Sequence, residues 1–556
     1  MRGKIHLIFI NCYKMASILT NILVKGFFIR LFYKIVNAVT SVFQRLKTPT
    51  DESITCSVWN INNKDFVYPE LQLPQFKDKR DMGIVLPSGG VRSAAYSLGV
   101  LRALNKLNVL KNTKYLTAVS GTSWLLSTYC YQKKYTNEEF LGEYIPPTEL
   151  TYNKLSNIPT TAEFANVLHN FTVIPDIINN LVLTKIITTV ENIVGLNDKT
   201  DDLLSRCYGD AFFAKYGLNS FAIIPTIKNK TLSKYTPVEE LRTDSPFPII
   251  MGAALIQDTE IKSSIEFSPM YYGINTLNPD IKGSGIYVEP TGFLTFTKTD
   301  VKADKPEYTF DTTVKACTNN VISILKASGI SSNYEPLLIR LPNTIYDFTE
   351  LPQMDYFDQD IILCDGVVIG DNSGLTSLLK RKVKNIILVL SFNSSDDSSL
   401  DNKYFVENNS DLIQMFKDSN PRQLFKPSYY PELMKSFNKL IDNKKPLIVK
   451  MDIEVVSNTE YGIIIKDGDK YIPTVTFIHP SRNEWLDLIP KDSKQYIDSD
   501  TSTLKSKLSY LSATNSTFIN YPFTSFFHLN MSVEYIVAMS QNAAYDVLSS
   551  SKLFEF

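Results

Sequence analysis

Three short blocks of this 556-residue chain hold residue types able to do nucleophilic chemistry. The first is Ala118-Val119-Ser120-Gly121-Thr122, where a serine follows the apolar run Tyr115-Leu116-Thr117-Ala118-Val119 and precedes a helix-like stretch, 125–131. A serine between a strand and a helix, flanked by small residues, has the layout of a nucleophile elbow. The turn is tight, bulky neighbours clash, and the hydroxyl is aimed away from the sheet. The second block is Ser88-Gly89-Gly90-Val91-Arg92, between an apolar strand (82–86) and a helix with apolar residues at Ala95, Leu98, Leu101, Leu104 and Leu107. Ester attack by serine creates an oxyanion, which backbone N–H groups must already face, and glycines permit that close approach. The third is Asp365-Gly366-Val367, closing the buried-strand pattern Ile361-Ile362-Leu363-Cys364 with a carboxylate able to serve as a general base. Each block by itself is an ordinary structural turn; the three together carry the functional reading.

Together these blocks resemble the patatin-like lipid acyl hydrolases, most closely the cytosolic phospholipase A2 / phospholipase B branch. That family has a Gly-Gly-Gly-x-Arg oxyanion loop, a Gly-x-Ser-Gly-Ser/Gly elbow followed shortly by Trp, and an Asp-Gly-Gly/Ala turn. The counterparts here are the Ser88 to Arg92 block, the Ala118 to Thr122 block with Trp124, and the Asp365 to Val367 block. Ser264-Ile265-Glu266-Phe267-Ser268-Pro269-Met270-Tyr271-Tyr272-Gly273 looks like that branch's Glu-Phe-Ser/Thr-Pro-Tyr-x-x-Gly segment. Asp371-Asn372-Ser373-Gly374-Leu375, ending in Lys380-Arg381, looks like its Asp-Asn-x-Gly-Leu turn and basic helix end. The resemblance runs in order over residues 80–550, with only these blocks specific.

The resemblance implies an α/β protein with a three-layer α/β/α fold, a central mixed but mostly parallel sheet, and inserted lid or cap segments. It implies that Ser120 is the nucleophile and Asp365 its base, with no histidine between them. It further implies that Gly89, Gly90 and Gly121 supply the oxyanion hole and that Arg92 faces a lipid phosphate, which a guanidinium suits by bidentate hydrogen bonding. Two alternatives stay open: Asp371 as the base, and Arg92 as a tie for its own loop. Four positions depart from the family pattern: Ser88 and Ala118 stand for glycines, Thr122 for Ser or Gly, and Val367 for a small residue. The last two are bulky beside a tight turn, so either the turn adapts or activity suffers. A catalytically inactive lipid-binding protein on the same fold, and an esterase, thioesterase or acyltransferase using other acyl donors, are the competing functional readings.

Composition agrees with a globular chain, 44% hydrophobic, with 57 basic against 58 acidic residues and a net charge of −1. That balance lacks the basic footprint of a nucleic-acid partner. Six scattered cysteines form no CxxC pair or metal-ligand spacing, which reads as free thiols in a reducing compartment. None of the four histidines sits in a recognisable motif. Calcium-binding loops of the EF-hand type are absent from the sequence, so no metal and no cofactor are expected.

Residues 1–50 contain no Asp or Glu and eight Lys or Arg. On a helical wheel Ile18, Ile22, Ile29, Phe32, Val36, Val39, Phe43 and Leu46 share a face, with Arg30, Lys34 and Arg45 opposite and Lys25 the exception. Such a cationic amphipathic helix lies in a membrane interface. No charge-free run reaches the ~20 residues of a spanning helix. A docked helix, a cleaved presequence and a membrane anchor remain alternatives. Residues 51–80, polar and carrying Pro69 and Pro74, read as a linker, and 81–556 as the catalytic domain. Further helices are predicted at 161–171, 174–194, 321–328 and 533–539. Strands are predicted at 247–254, 383–390, 446–456, 461–465 and 474–479, and a surface insertion at 278–306. The resulting expectation is a phospholipase A2 or lysophospholipase, cytoplasmic, peripherally bound to a phospholipid membrane surface, independent of calcium, with its oligomeric state open.

Overall fold

The structure is a computed structural model. It describes residues 53–169 (without 62, 158 and 161), 209–218, 240–256, 261–276, 280, 284–290, 309–315, 323–332, 361–391 (without 372), 402–501, 521–523 and 531–556. The cationic stretch 1–50 and the apolar stretch 174–194 lie outside the described residues, as does most of the predicted insertion.

The chain is α/β, with one large mixed sheet and helices around it. Its strands are β1 (Ser53–Asn60), β2 (Arg80–Leu86), β3 (Thr113–Val119), β4 (Phe247–Ile256), β5 (Lys262–Phe267), β6 (Tyr272–Ile274), β7 (Ile286–Val288), β8 (Thr309–Lys315), β9 (Ile361–Asp365), β10 (Asn385–Val389), β11 (Leu447–Asp452) and β12 (Thr474–His479). The order is β11-β12-β10-β2-β3-β4-β5-β6-β7-β1-β8, and β9 also pairs with β4. From β12 to β4 the neighbours are parallel; the remaining pairings are antiparallel. Parallel strands are buried on both faces, which explains their near-continuous apolar runs. Alternate residues feed two separate cores. Ile84, Leu86, Leu116 and Ala118 enter one, while Val85, Tyr115 and Val119 enter the other.

The helices that concern the site are α1 (Gly90–Lys106), α2 (Thr122–Tyr131), α3 (Ile324–Ser331), α4 (Leu375–Lys380), α5 (Tyr430–Asp442) and α6 (Val533–Ser549). Residues of α1, α2 and α6 fill the first core, and those of α4 and α5 fill the second. Helix α1 lies against α6 at Gly99, where a Cβ would come within 2.0 Å of the Ser540 carbonyl oxygen.

Three expectations are corrected. The stretch read as a linker contains β1, which runs antiparallel to β7 and β8. Its alternating Cys56 and Val58 turn a face into the first core, a period-2 signal masked by the surrounding polar residues. The segment 278–306 contributes β7 to the sheet rather than only surface. Residues 461–465 form a turn with a single bridge, Asn458 to Ile463, and not a strand.

Two of the sequence blocks meet in a buried ion cluster. Arg381, one residue past α4, donates to Glu266 of β5 at 2.7 Å and to Glu70 at 3.0 Å, all three side chains being almost wholly buried. Tyr271 donates to Glu70 at 3.0 Å, and Tyr287, Ser377 and Asn275 donate to Glu266 at 2.9, 2.6 and 2.7 Å. Tyr68 lies under the guanidinium, 4.1 Å from carbon to ring centroid. Burial opposes ionisation of Glu266, but the Arg381 charge and these donors hold its carboxyl down at about 2. Removing one partner from such a cluster leaves the others charged and desolvated. Arg381→Met is expected to lower unfolding stability by about 3–5 kcal/mol in a urea titration; an unchanged midpoint would show that the cluster contributes nothing.

Candidate active site

The site is made by two strands that share one edge of β4. Strand β3 runs parallel along the first half of β4 and ends with Val119 opposite Met251. Strand β9 runs antiparallel along the second half and ends with Asp365 opposite Gly252. The two strands therefore approach head-on, and their last residues face consecutive positions of β4, one rise of ~3.3 Å apart. Neither can continue, so both chains turn out of the sheet at once. The residue after β3 is Ser120, and the last residue of β9 is Asp365.

Ser120 makes its turn in the left-handed region, with φ of 60°. A non-glycine residue there costs about 1–3 kcal/mol unless its surroundings impose it. Here they do. Its N–H donates to the Ser331 hydroxyl at 2.9 Å. Helix α2 starts two residues on, its first turn closed by Ser123 N–H to the Ser120 carbonyl at 2.9 Å. Thr122, which departs from the family pattern, fits rather than crowds. Its hydroxyl lies 2.9 Å from the Pro87 carbonyl, 3.0 Å from that of Val119 and 3.3 Å from that of Leu86. It thus ties the elbow to the end of β2.

The glycine loop leads from β2 into α1. Gly89 and Gly90 have φ of 127° and 64°, values that glycine adopts freely and other residues rarely do. The loop is closed by the Ser93 hydroxyl donating to the Ser88 carbonyl at 2.6 Å. Gly90 presses on the elbow: a Cβ at Gly121 would fall 2.5–2.7 Å from the Gly90 Cα, carbonyl oxygen and carbonyl carbon. Two helix N-termini therefore converge on the turn that carries Ser120. The opening N–H groups of a helix have no intrahelical partner and carry partial positive charge, which is the electrostatics an oxyanion needs.

Asp365 is 1% exposed. Burial pushes its carboxyl up to about 7, against the lowering influence of the Val367 N–H, 3.0 Å from one oxygen, and of the Ser120 side chain; the other oxygen is buried without a hydrogen-bond partner. Val367, the other bulky departure, is only partly buried and serves the carboxylate through its backbone. Asp371, the alternative base, is occupied elsewhere. It accepts from Gly374 N–H at 2.7 Å, Ser373 N–H at 3.4 Å and the Thr376 hydroxyl, so it closes the turn that leads into α4. Asn372 lies outside the described residues.

Arg92 does not stand open to a ligand. It is 3% exposed on the first turn of α1, and burial pushes it down to about 10, partly offset by Tyr535 of α6. A Cβ on Gly89 would lie 3.4 Å from its Nε. That position sets it beside the glycine loop. His479 ends β12, three strands from β3 in the sheet. Its Nδ1 lies 2.7 Å from the Pro480 carbonyl, and burial lowers it to about 4. Among the described residues no group of three or more His, Cys, Asp or Glu is placed to hold a metal ion, and no helix is long and apolar enough to cross a membrane.

The residues that sequence reasoning missed are the serines of α3 and the turn after it. Ser331 receives the Ser120 N–H and donates to the Met251 carbonyl at 2.7 Å. Ser328 meets Ser127 of α2 at 2.8 Å, and Ser332 accepts from the Trp124 indole at 2.8 Å. The only sequence signal was the serine content of Ser328-Gly329-Ile330-Ser331-Ser332, which reads as a helix end.

No family model matches the chain, and no curated protein matches it. Among solved structures it is similar to the human GIVD cytosolic phospholipase A2, with 14% identity over 95% of this chain and 64% of that one and a TM-score of 0.41. It is likewise similar to that protein in complex with methyl gamma-linolenyl fluorophosphonate, with 13% identity, 96% and 64% coverage and a TM-score of 0.42. The chain thus spans 64% of the length of these structures. A likeness of this degree carries no argument about activity.

The tight glycine contact gives a direct test. Gly121→Ala must force the Gly90 backbone and the elbow apart, and a displacement of ~1 Å in such a constellation costs about a hundredfold in rate. The expected outcome is a folded protein in which a serine-directed reagent labels Ser120 at least that much more slowly. Labelling at the normal rate would show that the glycine loop is not part of the site.

Proposed function

We propose that the chain is a lipid acyl hydrolase of the phospholipase A2 or lysophospholipase type, working through Ser120 and Asp365. The observation that carries this reading is the head-on meeting of β3 and β9, which sets a serine on a left-handed turn beside a carboxyl raised to about 7. A base poised near neutrality is what a serine needs for activation without histidine. The lipid class rests on the sequence blocks shared with the patatin-like acyl hydrolases and on the cationic amphipathic stretch 1–50, which suits a phospholipid surface.

The chemistry runs in two halves. Asp365 takes the proton from Ser120 as its Oγ bonds to the ester carbonyl carbon, and the carbonyl electrons move onto oxygen. The N–H groups at Gly89, Gly90 and Gly121 face that oxyanion. Collapse breaks the ester C–O bond, and the departing alkoxide takes the proton from Asp365. Water then attacks the acyl-enzyme, giving its proton to Asp365, and collapse returns the proton to Ser120 and releases a fatty acid. No step draws on calcium or a cofactor. The protein would act at the cytoplasmic face of a membrane, attached peripherally.

The test is fatty-acid release from phosphatidylcholine and lysophosphatidylcholine vesicles, with chelator present. The intact chain should release fatty acid, and Ser120→Ala should abolish it. Release that survives Ser120→Ala overturns the assignment; binding to vesicles without release from any ester favours the inactive lipid-binding reading.

Asp365 adds a pH prediction. It must be ionised to accept a proton, so kcat/KM should fall about tenfold per pH unit below about 7. The stability effect has the opposite sense. The folded carboxyl binds its proton more tightly than the unfolded one, so its contribution is complete below the unfolded value of 3.8 and is lost as pH rises through about 7. Asp365→Asn should therefore abolish turnover yet raise the urea midpoint at pH ~8, with an unfolding free energy higher by about one to a few kcal/mol. A lower midpoint would show that the carboxylate is stabilised in its charged form.

A further inference from the structure

We infer that Ser331, 211 residues from the nucleophile in the chain, is a positioning residue that sets the spacing of Ser120 from Asp365. The inference rests on the reading of those two residues as nucleophile and base. Where β3 ends, the ladder to β4 loses its next rung, because the left-handed turn at Ser120 carries its N–H out of line. Ser331 fills that rung with a side chain. Its hydroxyl has one proton, given to the Met251 carbonyl at 2.7 Å, so its oxygen is free only to accept, and it accepts the Ser120 N–H at 2.9 Å. The direction of both bonds is fixed, with no rotamer in which one survives reversed.

Met251 is the residue that matters on the other side. It lies beside Gly252, the partner of Asp365 in the β4–β9 ladder. A Cβ on Gly366, the residue after the base, would lie 3.5 Å from the Met251 carbonyl oxygen and 3.2 Å from the Val119 side chain. The Met251 carbonyl is thus the point where the two turns converge, and Ser331 bolts one of them to it. Ser331 is fully buried, so water does not substitute for its hydroxyl. A second consequence follows. Because the Ser120 N–H is committed to Ser331, it is not an oxyanion donor, and that role falls to the glycine loop and Gly121.

A structural serine and a positioning serine differ in what they do to the base. The Ser120 side chain holds the Asp365 carboxyl down against the upward push of burial. If Ser331 holds that geometry, its loss lets the base drift upward. The probe is a long-chain alkyl fluorophosphonate, which labels an activated serine without needing the natural substrate. Labelling of the full-length chain at Ser120 is followed by intact-protein mass spectrometry across pH. Ser331→Ala should slow labelling roughly tenfold to a hundredfold, at an unchanged half-saturating probe concentration, and move the acid limb of the rate to higher pH. Ser331→Thr, which keeps the hydroxyl, should restore both. Ser328→Ala, which loosens the same helix seam at Ser127, should leave the limb where it is.

An unmoved acid limb in Ser331→Ala overturns the inference, as does an equal shift in Ser328→Ala. If Ser331→Ala does not fold, Ser331→Cys keeps the volume while weakening both bonds, and the same displacement of the limb decides. Failure of the unaltered chain to be labelled at Ser120 overturns instead the reading of the site as a serine hydrolase.

Discussion

Strand β4 carries two partners along a single edge, and that constraint organises the site. A parallel neighbour and an antiparallel neighbour cannot share one edge without colliding where they meet. The collision falls between Met251 and Gly252, the positions faced by Val119 and Asp365. Everything unusual nearby is a way of resolving it. Ser120 leaves by a left-handed turn; Asp365 leaves through Gly366 into a 3-10 turn (Gly366–Ile369). Two chains diverging from one point leave Ser120 and Asp365 at neighbouring positions along β4, the residues of the proposed mechanism. The chemistry is a by-product of ending two strands in the same place.

Such a junction is only as exact as the strand beneath it. Met251 pairs with Glu266 across the β4–β5 ladder, and Glu266 is the hub of the buried Arg381 cluster. The cluster therefore fixes β5 directly behind the point of collision, and α4 with it through Ser377. The same low dielectric acts in two directions across β4. It raises Asp365, which lacks a cationic partner among the causes that set its acidity. It also makes the Arg381 pairings strong enough to keep Glu266 ionised at about 2. Two buried carboxylates a strand apart are thus shifted in opposite directions, Glu266 down by Arg381, Lys380 and the Ser377 hydroxyl together, Asp365 up by burial without a cationic partner.

The parts of this arrangement that were legible in the sequence are those in which a residue type answers a local backbone demand. Gly89, Gly90 and Gly121 are legible because the dihedrals and close contacts admit little else, and Asp365 because it ends a buried run. What was not legible depends on contacts between distant segments. Ser331 reads as a helix end, and only the missing rung of β4 gives its hydroxyl a purpose. Glu70 and β1 sit in a stretch whose prolines and polar residues suggest a linker; burial of Cys56 and Val58 depends on strands that arrive some 250 residues later. The burial of Arg92 was hidden for a related reason. A motif gives the identity of a residue but not its burial, and α6 arrives from the far end of the chain to cover it.

Thr122 and Val367 show how departures from a motif are absorbed. A family pattern of small residues expresses a steric limit on side chains that point into the turn. Thr122 escapes the limit by returning its hydroxyl to the carbonyls at the ends of β2 and β3, so its extra bulk becomes a tie between the elbow and the glycine loop. Val367 escapes it by keeping its side chain partly outward and offering only its N–H to Asp365. Neither residue removes a backbone donor or brings a charge near Ser120 and Asp365. The demand that remains is the one no side chain can evade: at Gly121 the neighbour is the backbone of Gly90, which has no rotamer to change and is held from both ends by β2 and α1. Tolerance at this turn therefore divides by what lies opposite, side chain or main chain, rather than by distance from the serine.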